Sequence, residues 1–254
     1  MEAGLKSTFS LETPLRTDHR PYPLKKLYLA TERAYVNHFI SPQLDSLGDE
    51  FLIMKPWNFK VHGEDIHIGR SVHIVTAADR RVTLTTWKFD TDAGEIQIGD
   101  YCLLCPGVRL DAACGIHIGH NSMLASSVYI TDADWHDIYD RTLAIGKSAP
   151  VHLGNNVWIG DSSIICKGVN IGDNTVIGAG SIVTHDIPGN VIAAGNPAKV
   201  IKPLDPDKEI RKREALLADP TTLNRQTDSM NRYLLGNNTW LRWLRSVVRP
   251  DRTD

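Results

Sequence analysis

The chain has 254 residues, with 28 lysines and arginines against 30 aspartates and glutamates. This balance argues against a general nucleic-acid partner, which would need a strongly basic surface. The sequence has neither an apolar run of about 18 residues, as a transmembrane helix would need, nor the apolar core of a signal peptide near its start. We therefore expect a cytoplasmic protein. Its four cysteines are too few and too scattered for a disulfide framework.

Residues 1–60 are predicted to form a helical and irregular N-terminal extension. An amphipathic pattern over residues 24–40 predicts a helix, which Ser41 and Pro42 end. The apolar segment 51–59 contains Pro56, and a proline there indicates an edge strand or an irregular run.

Large apolar residues recur at every sixth position within residues 61–203. The pattern begins imperfectly near Ile66 and is interrupted at residues 87–95. It then forms four sets of three: Ile98, Leu104 and Leu110; Ile118, Leu124 and Ile130; Leu153, Ile159 and Ile165; Ile171, Ile177 and Val183. A period of six is neither the 3.6 of a helix nor the 2 of an ordinary strand, and it is typical of solenoids. Three hexads per coil predict four regular coils with three flat sides each.

Two further columns of the repeat support this solenoid. Four residues after ten of the twelve large apolar positions stands a small or β-branched residue, as a narrow interior requires; these are Cys102, Val108, Cys114, Ser122, Val128, Val157, Ser163, Val169, Thr175 and Ser181. Three residues after six of the twelve stands a residue that tolerates positive φ, which marks the corners of the coil; these are Gly107, Asn121, Asn156, Gly168, Asn174 and Gly180.

The motifs of this region resemble those of a known family. The segments Asn-Asn-Val-Trp-Ile-Gly at 155–160, Ile-Gly-Asp-Asn at 171–174 and Ala-Gly-Asn-Pro at 194–197 are similar to those of hexapeptide-repeat acyltransferases. The maltose and galactoside O-acetyltransferases and the polysaccharide O-acetyltransferases are the most similar groups. The resemblance implies a left-handed parallel β-helix, which is an all-β solenoid. It also implies a homotrimer and acetyl-CoA as the acyl donor.

The repeat breaks between Ile130 and Leu153, and residues 131–152 form a loop that a coil does not need. Long loops on rigid scaffolds often carry function. His136 in this loop is the candidate general base, because a histidine can remove the proton of an attacking hydroxyl near neutral pH. A carboxylate on its other ring nitrogen would orient the imidazole. Asp134 is our first candidate for it, with Asp132 and Asp137 as alternatives.

The resemblance also implies residues that hold the donor. The backbone N–H of Asp161 corresponds to the donor that stabilises the thioester oxyanion, and Ala179 corresponds to the turn that holds the pantetheine arm. Lys199 and Lys202 correspond to the basic residues that meet the nucleotide phosphates. Thr184 lies near them in sequence, and Trp158 belongs to the outward wall beside the donor.

These residues favour acetyl-CoA-dependent O-acetylation of a sugar, a polysaccharide precursor or another small hydroxyl acceptor, with no metal. N-acetylation of an amino sugar and acetylation of a small foreign compound remain alternatives. The same fold also carries zinc carbonic anhydrases, for which four histidines are available: His117, His120, His136 and His152. A non-catalytic scaffold is a further alternative.

The cysteines and the C-terminal tail complete the sequence. Cys102 and Cys105 form a lone Cys-x-x-Cys pair, for which interior packing is favoured over zinc, redox chemistry or a cysteine acyl-enzyme. Residues 204–254 are predicted to be helical, with Pro206 and Pro220 at helix starts. The last helix combines an apolar stripe with arginines; the stripe is Trp240, Leu241, Trp243, Leu244 and Val247. It could dock on the solenoid or a partner subunit, or make a peripheral membrane contact.

Overall fold

The computed structural model describes residues 17–89 and 93–252. The chain forms two compact units. The larger unit, residues 32–220, contains every strand named below. The smaller unit combines residues 1–31 with residues 221–254.

The larger unit is a three-sided coil of short parallel strands. The first three coils contain β1 (Ser46–Leu47), β2 (Leu52–Met54), β3 (Phe59–His62), β4 (Ile66–Ile68), β5 (His73–Val75), β6 (Val82–Thr86), β7 (Ile96–Ile98), β8 (Leu103–Leu104) and β9 (Arg109–Ala112). The next three contain β10 (Ile116–Ile118), β11 (Met123–Leu124), β12 (Tyr129–Thr131), β13 (Val151–Leu153), β14 (Trp158–Ile159), β15 (Ile164–Ile165), β16 (Asn170–Ile171), β17 (Val176–Ile177) and β18 (Ile182–Val183). A final hairpin is formed by β19 (Val191–Gly195) and β20 (Ala198–Pro203).

Each side of the coil is one sheet, and strands three apart in sequence are hydrogen-bonded neighbours. The first sheet has the order β1-β4-β7-β10-β13-β16 and the third has β3-β6-β9-β12-β15-β18. The second runs β2-β5-β8-β11-β14-β17 and then continues into β19 and the antiparallel β20. This is the parallel β-helix that the hexads predict, and its left-handed class is the one that the resemblance implies.

The repeat columns take the positions expected of them. All twelve large apolar residues of the four regular sets are at most 3% exposed. The small column is buried as well, except for Cys114, which is only partly buried. Its hydroxyls are satisfied, since Ser122 donates to the Gly154 carbonyl at 3.1 Å and Thr175 donates to the Pro188 carbonyl at 2.8 Å.

All six predicted corner residues have a positive φ, between 57° and 86°. In the four regular coils, three residues that are neither glycine nor asparagine take the same conformation at equivalent corners, with φ of 61° at Tyr101, 59° at Ser127 and 57° at Ser162. The coil therefore enforces the left-handed region even where the residue does not favour it.

The coil begins earlier than the sequence predicts. We expected its start near Ile66, yet β1, β2 and β3 pair in parallel with the next coil. Pro56, which suggested an edge strand, begins a 3₁₀ turn over Pro56–Asn58 at a corner between two strands. Leu47, Ile53 and Phe59 are six residues apart, so the period already exists there.

Four α-helices flank the coil in sequence. They are α1 (Tyr22–Tyr35), α2 (Glu214–Leu217), α3 (Pro220–Leu235) and α4 (Trp240–Val248). A π turn at Val36–Ile40 and a 3₁₀ turn at Ser41–Gln43 follow α1, so the predicted first helix is confirmed but loosens before its end. In the described residues, every helix is too short or too polar to span a bilayer.

The predicted helix start at Pro220 is confirmed, and the one at Pro206 is wrong. Pro206 and Asp207 form a turn, in which the Asp205 carboxylate accepts the Asp207 N–H at 3.1 Å. An aspartate that bonds the backbone two residues later favours a turn over a helix.

Within the smaller unit, α1 and α3 are joined by specific contacts. The Tyr22 hydroxyl donates to Asp228 at 2.6 Å, and the Arg232 guanidinium lies over the Tyr22 ring. The Asn238 amide donates to the carbonyls of Asp18 and Arg20.

Candidate active site

The loop that interrupts the repeat is anchored at both stems. It leaves the coil after β12 and returns at β13. At its start the buried Asp132 carboxylate accepts three backbone N–H groups, from Ala113 at 2.7 Å, Cys114 at 2.8 Å and Gly115 at 2.5 Å. At its end the Ala149 N–H donates to the Asp132 carbonyl at 2.8 Å. The stems of the loop are therefore rigid extensions of the coil.

The two sides of the loop also pair with each other. Asp134 donates its N–H to the Lys147 carbonyl at 2.9 Å, and Gly146 donates to the Asp134 carbonyl at 2.7 Å. This pairing positions His136 just beyond the paired stems. The side chain of His136 is exposed, and its Nδ1 lies 3.4 Å from the Leu143 carbonyl oxygen. If Nδ1 carries the proton, the Leu143 carbonyl orients the ring and leaves Nε2 as the proton acceptor.

None of the three candidate carboxylates hydrogen-bonds to His136. Asp134 forms an ion pair with Lys167, with Nζ 2.6 Å from Oδ1. Asp137 accepts the N–H groups of Tyr139 and Asp140, and the bond from Asp140 is the largest cause of the lowered pKa of Asp137. Asp132 is occupied by the coil backbone. Within the described residues, the His136 ring contacts the Leu143 backbone carbonyl instead.

This arrangement makes a prediction about Asp134. We expect Asp134→Asn and Lys167→Met to lower kcat by similar, modest factors, and the double variant to lower it no further. The reason is that both remove one tether between the loop and the turn after β15. The ion pair is about one third exposed, so each change should cost roughly 0.2–1 kcal/mol of stability. Steady-state kinetics of the three variants measure this coupling. A much larger loss for Asp134→Asn alone would mean that Asp134 orients His136 directly.

An aromatic cluster lies beside the loop on the outer face of the third sheet. It consists of Trp87, Tyr129 and Trp135. The Trp135 indole donates to Thr131 Oγ1 at 3.2 Å, and its ring meets Trp87 edge-on at 6.1 Å. The guanidinium of Arg109 lies 4.4 Å from the centre of the Tyr129 ring. Aromatic rings next to hydrogen-bonding groups are typical of ligand sites.

Sequence reasoning missed this aromatic cluster. Trp87 and Trp135 are 48 positions apart, and one whole coil lies between their strands. The available signal was that both interruptions of the repeat, at residues 87–95 and 131–152, follow the third strand of a coil. Both therefore leave from the same corner, where their first aromatic residues can meet.

The residues implied to hold the donor lie elsewhere on the coil. Asp161 and Ala179 occupy equivalent corners of neighbouring coils, between the second and third sheets. Their backbone N–H groups have no acceptor within the described residues, and both residues are exposed. A Cβ at Gly160 would lie 2.5 Å from the Ala179 nitrogen, so glycine lets these two turns approach closely. Trp158 is 49% exposed on the adjoining second sheet.

The predicted phosphate-binding residues divide between two places. Lys199 and Lys202 are exposed on β20, the edge strand of the second sheet, and Lys199 pairs with Ala194 in register. Ala194 borders Gly178, next to the Ala179 turn. Thr184 instead follows the carboxyl end of β18, whereas Ala179 precedes the amino end of the same strand. The Thr184 hydroxyl lies 2.9 Å from His185 Nδ1. The structure thus groups Lys199 with the donor turns and separates Thr184 from them.

His136 and the donor turns lie at opposite ends of the strands of the third sheet. The loop leaves from the carboxyl end of β12, whereas Asp161 precedes the amino end of β15, the parallel neighbour of β12. Parallel strands place these two ends at opposite edges. Within one chain, the candidate base and the candidate donor turns are therefore about a strand length apart.

The described residues give little support to thiol or metal chemistry. Burial raises the pKa of the Cys102 thiol to about 12, and burial beside Asp132 raises that of Cys114 to about 11. A cysteine nucleophile or metal ligand needs the thiolate form, so packing remains the better interpretation. Of the four histidines considered for zinc, His117 and His152 stack on each other at 4.7 Å on the first sheet. Within residues 17–89 and 93–252, no group of three or more His, Cys, Asp or Glu could hold a metal ion.

Comparison with known proteins agrees with this architecture. The bacterial transferase hexapeptide (six repeats) family matches residues 150–185, and the hexapeptide repeat of succinyl-transferase matches residues 96–132. The galactoside O-acetyltransferase of Escherichia coli (strain K12) is 36% identical over 170 residues, which cover 66% of this chain and 69% of that protein.

A solved structure of AntD shares the fold. The N-acyltransferase AntD from Bacillus cereus, in complex with dTDP and 3-hydroxybutyryl-CoA, matches 77% of this chain and 96% of its own, with a TM-score of 0.53 and 22% identity. A maltose O-acetyltransferase from Clostridium difficile 630 is 30% identical, covering 70% of this chain and 88% of its own, with a TM-score of 0.35. Together with the relative from Escherichia coli, the repeats and the three-sided coil show that this chain belongs to the hexapeptide-repeat acetyltransferases and is an acyltransferase.

Proposed function

We propose that this protein transfers the acetyl group of acetyl-CoA directly to a hydroxyl of a sugar or polysaccharide precursor, with His136 as general base. The observation that supports this most is the anchored loop. It presents an exposed imidazole whose Nδ1 faces a carbonyl, next to the aromatic cluster. Trp87, Tyr129 and Trp135 offer the flat apolar surfaces on which the C–H faces of a sugar ring can stack.

In the proposed reaction, His136 Nε2 takes the proton of the acceptor hydroxyl while its oxygen attacks the thioester carbon. The resulting oxyanion accepts a hydrogen bond from the Asp161 N–H, which has no other acceptor in the described part of the chain. When the tetrahedral intermediate collapses, the carbon–sulfur bond breaks. The imidazolium then returns the proton to the departing thiolate, so acid and base are both supplied by one histidine.

The donor would lie along the second sheet. The Ala179 N–H would donate a hydrogen bond to the pantetheine arm, and Trp158 would form the wall beside it. Lys199 and Lys202 would attract the nucleotide phosphates. Thr184 belongs to this proposal only if the donor or a neighbouring subunit reaches the far edge of the third sheet.

We propose a homotrimer because His136 and the donor turns at Asp161 and Ala179 lie at opposite ends of the strands of the third sheet. A neighbouring copy can supply the donor turns to the loop of the first copy. We assign catalysis to residues 61–203, with residues 131–152 as the catalytic loop, flanked by residues 1–60 and 204–254. This division and the cytoplasmic location stay predictions.

Gly160 provides a test of the donor turns. A Cβ on Gly160 would collide with backbone atoms of Ala179, at 2.5 Å and 2.8 Å. We therefore expect Gly160→Ala to raise the KM for acetyl-CoA and to lower the free energy of unfolding by about 1–3 kcal/mol. Gly180→Asn is the control: it has open space for a Cβ at its φ of 68°, a conformation that asparagine tolerates. An unchanged KM in Gly160→Ala would contradict the proposed donor site.

The function itself is tested by an acceptor screen. The purified protein is incubated with acetyl-CoA and a panel of sugars, and release of the CoA thiol is followed. We expect release with at least one hydroxyl acceptor and little without acceptor. Amino sugars form a second arm, because AntD is an N-acyltransferase and N-transfer remains the alternative. Absence of thiol release with every acceptor would contradict the proposal, and bound zinc on elemental analysis would favour carbonic anhydrase chemistry.

A further inference from the structure

The last helix carries an apolar face that is open to solvent. Five of its nine residues are apolar and between 52% and 81% exposed: Trp240, Leu241, Leu244, Val247 and Val248. At 100° per residue these five side chains fall within a 120° arc. The helix is capped at its N-terminus, because the Thr239 hydroxyl accepts the Arg242 N–H at 3.3 Å. An exposed apolar face of this kind marks an interaction surface.

The opposite side of the same helix is basic. Arg242 and Arg249 are exposed on this side, and their side chains make no ion pair within the described residues. Arg245 lies between this side and the apolar face, and it is paired with Asp251. The segment Trp240–Val248 contains no aspartate or glutamate. An arc of arginine next to Trp and Leu is the pattern of helices that lie in a membrane interface.

Charge is also divided between the two units. Residues 1–31 and 221–254 contain eleven lysines and arginines against six aspartates and glutamates. Residues 32–220 contain seventeen against twenty-four. The net charge of the whole chain hides this separation. The exposed apolar helix therefore belongs to the basic part of the molecule, which favours an anionic surface.

We propose that α4 binds the surface of an anionic lipid bilayer. Leu241, Leu244 and Trp240 would enter the boundary between headgroups and acyl chains, while Arg242 and Arg249 would contact lipid phosphates. Nine residues span only about 13 Å, so the helix lies on the bilayer and does not cross it. A second protein copy fits less well, because one face of so short a helix falls far below the roughly 800 Å² per partner of a stable interface.

The test is co-sedimentation of the full-length protein with vesicles of phosphatidylcholine alone or mixed with phosphatidylserine. We expect binding to the mixed vesicles, weakened by high salt, and little binding to phosphatidylcholine alone. Arg242→Gln with Arg249→Gln should weaken binding roughly thirtyfold. Leu241→Gln with Leu244→Gln should weaken it by roughly a hundredfold. Both pairs are exposed, so thermal melting should remain unchanged.

A matched control removes two exposed arginines from the acidic unit, as Arg81→Gln with Arg211→Gln. This variant should bind the mixed vesicles like the wild type. Absence of binding to the mixed vesicles, or equal loss in the control, would overturn the proposal. A changed oligomeric mass of the leucine variant in light scattering would also overturn it and assign α4 to a subunit interface. The acceptor screen in solution does not depend on α4, so the two proposals fail separately.

Discussion

Replacing His136 with alanine should lower kcat/KM by roughly 10²–10⁴, the contribution of a positioned general base. The KM for acetyl-CoA should change little, because the donor is proposed to be held by Ala179, Lys199 and Lys202, whereas His136 acts on the acceptor hydroxyl. His136 is exposed, and the hydrogen-bond contact of its ring within residues 17–89 and 93–252 is a long one, to the Leu143 carbonyl at 3.4 Å. Its removal should therefore leave the melting temperature unchanged. Thiol release measured with an active acceptor gives the rate.

A control variant tests whether the loss of any exposed histidine lowers the activity. His38→Ala removes an exposed histidine of the π turn after α1 and should retain wild-type activity. Added imidazole should partly restore His136→Ala if the lost group accepts a proton. Full activity of His136→Ala would contradict the proposed mechanism. A large rise in KM with an unchanged kcat would assign His136 to binding.

Replacing Asp132 with alanine should lower the free energy of unfolding by about 3–5 kcal/mol, because three backbone N–H groups lose their acceptor. The carboxylate is fully buried and holds the N–H groups of Ala113, Cys114 and Gly115. Asp132→Asn should cost less, since the amide oxygen can still accept from part of this set. Urea unfolding followed by circular dichroism measures both variants.

Asp137 provides the matched control in the same loop. Its carboxylate also accepts two backbone N–H groups, from Tyr139 and Asp140, but it lies in a solvent-exposed turn. Water can replace it there, so Asp137→Ala should change stability much less than Asp132→Ala. If Asp132→Ala is as stable as the wild type, the loop is not anchored by this carboxylate.

The repeating part of the fold could be predicted from sequence because every coil meets the same physical demands. A narrow interior needs one large and one small column, and a tight corner needs positive φ. The first coil was missed because Pro56 and the preceding helix obscured a period that Leu47, Ile53 and Phe59 obey. Tyr101, Ser127 and Ser162 show the limit of the corner rule, since hydrogen bonds between stacked coils can impose a conformation that these residues do not favour.

The candidate site was predictable in part. His136 was recognisable because it lies in a loop that the coil does not need. The surroundings of His136 could not be predicted, because the sequence does not distinguish among the three aspartates that lie within six residues of the loop. Only the folded chain assigns Asp132 to the backbone of the previous coil, Asp134 to Lys167 and Asp137 to its own turn.

By itself, the sequence determined the solenoid, its three sides and the position of its interruption, because these follow from a local period repeated along the chain. The tertiary structure decided which distant residues meet. It brought Trp87 to Trp135 across a coil and Gly160 against Ala179. It also separated His136 from the donor turns by the length of a strand. Such contacts depend on how the coils stack, and a local pattern of residues does not specify which side chains of different coils meet.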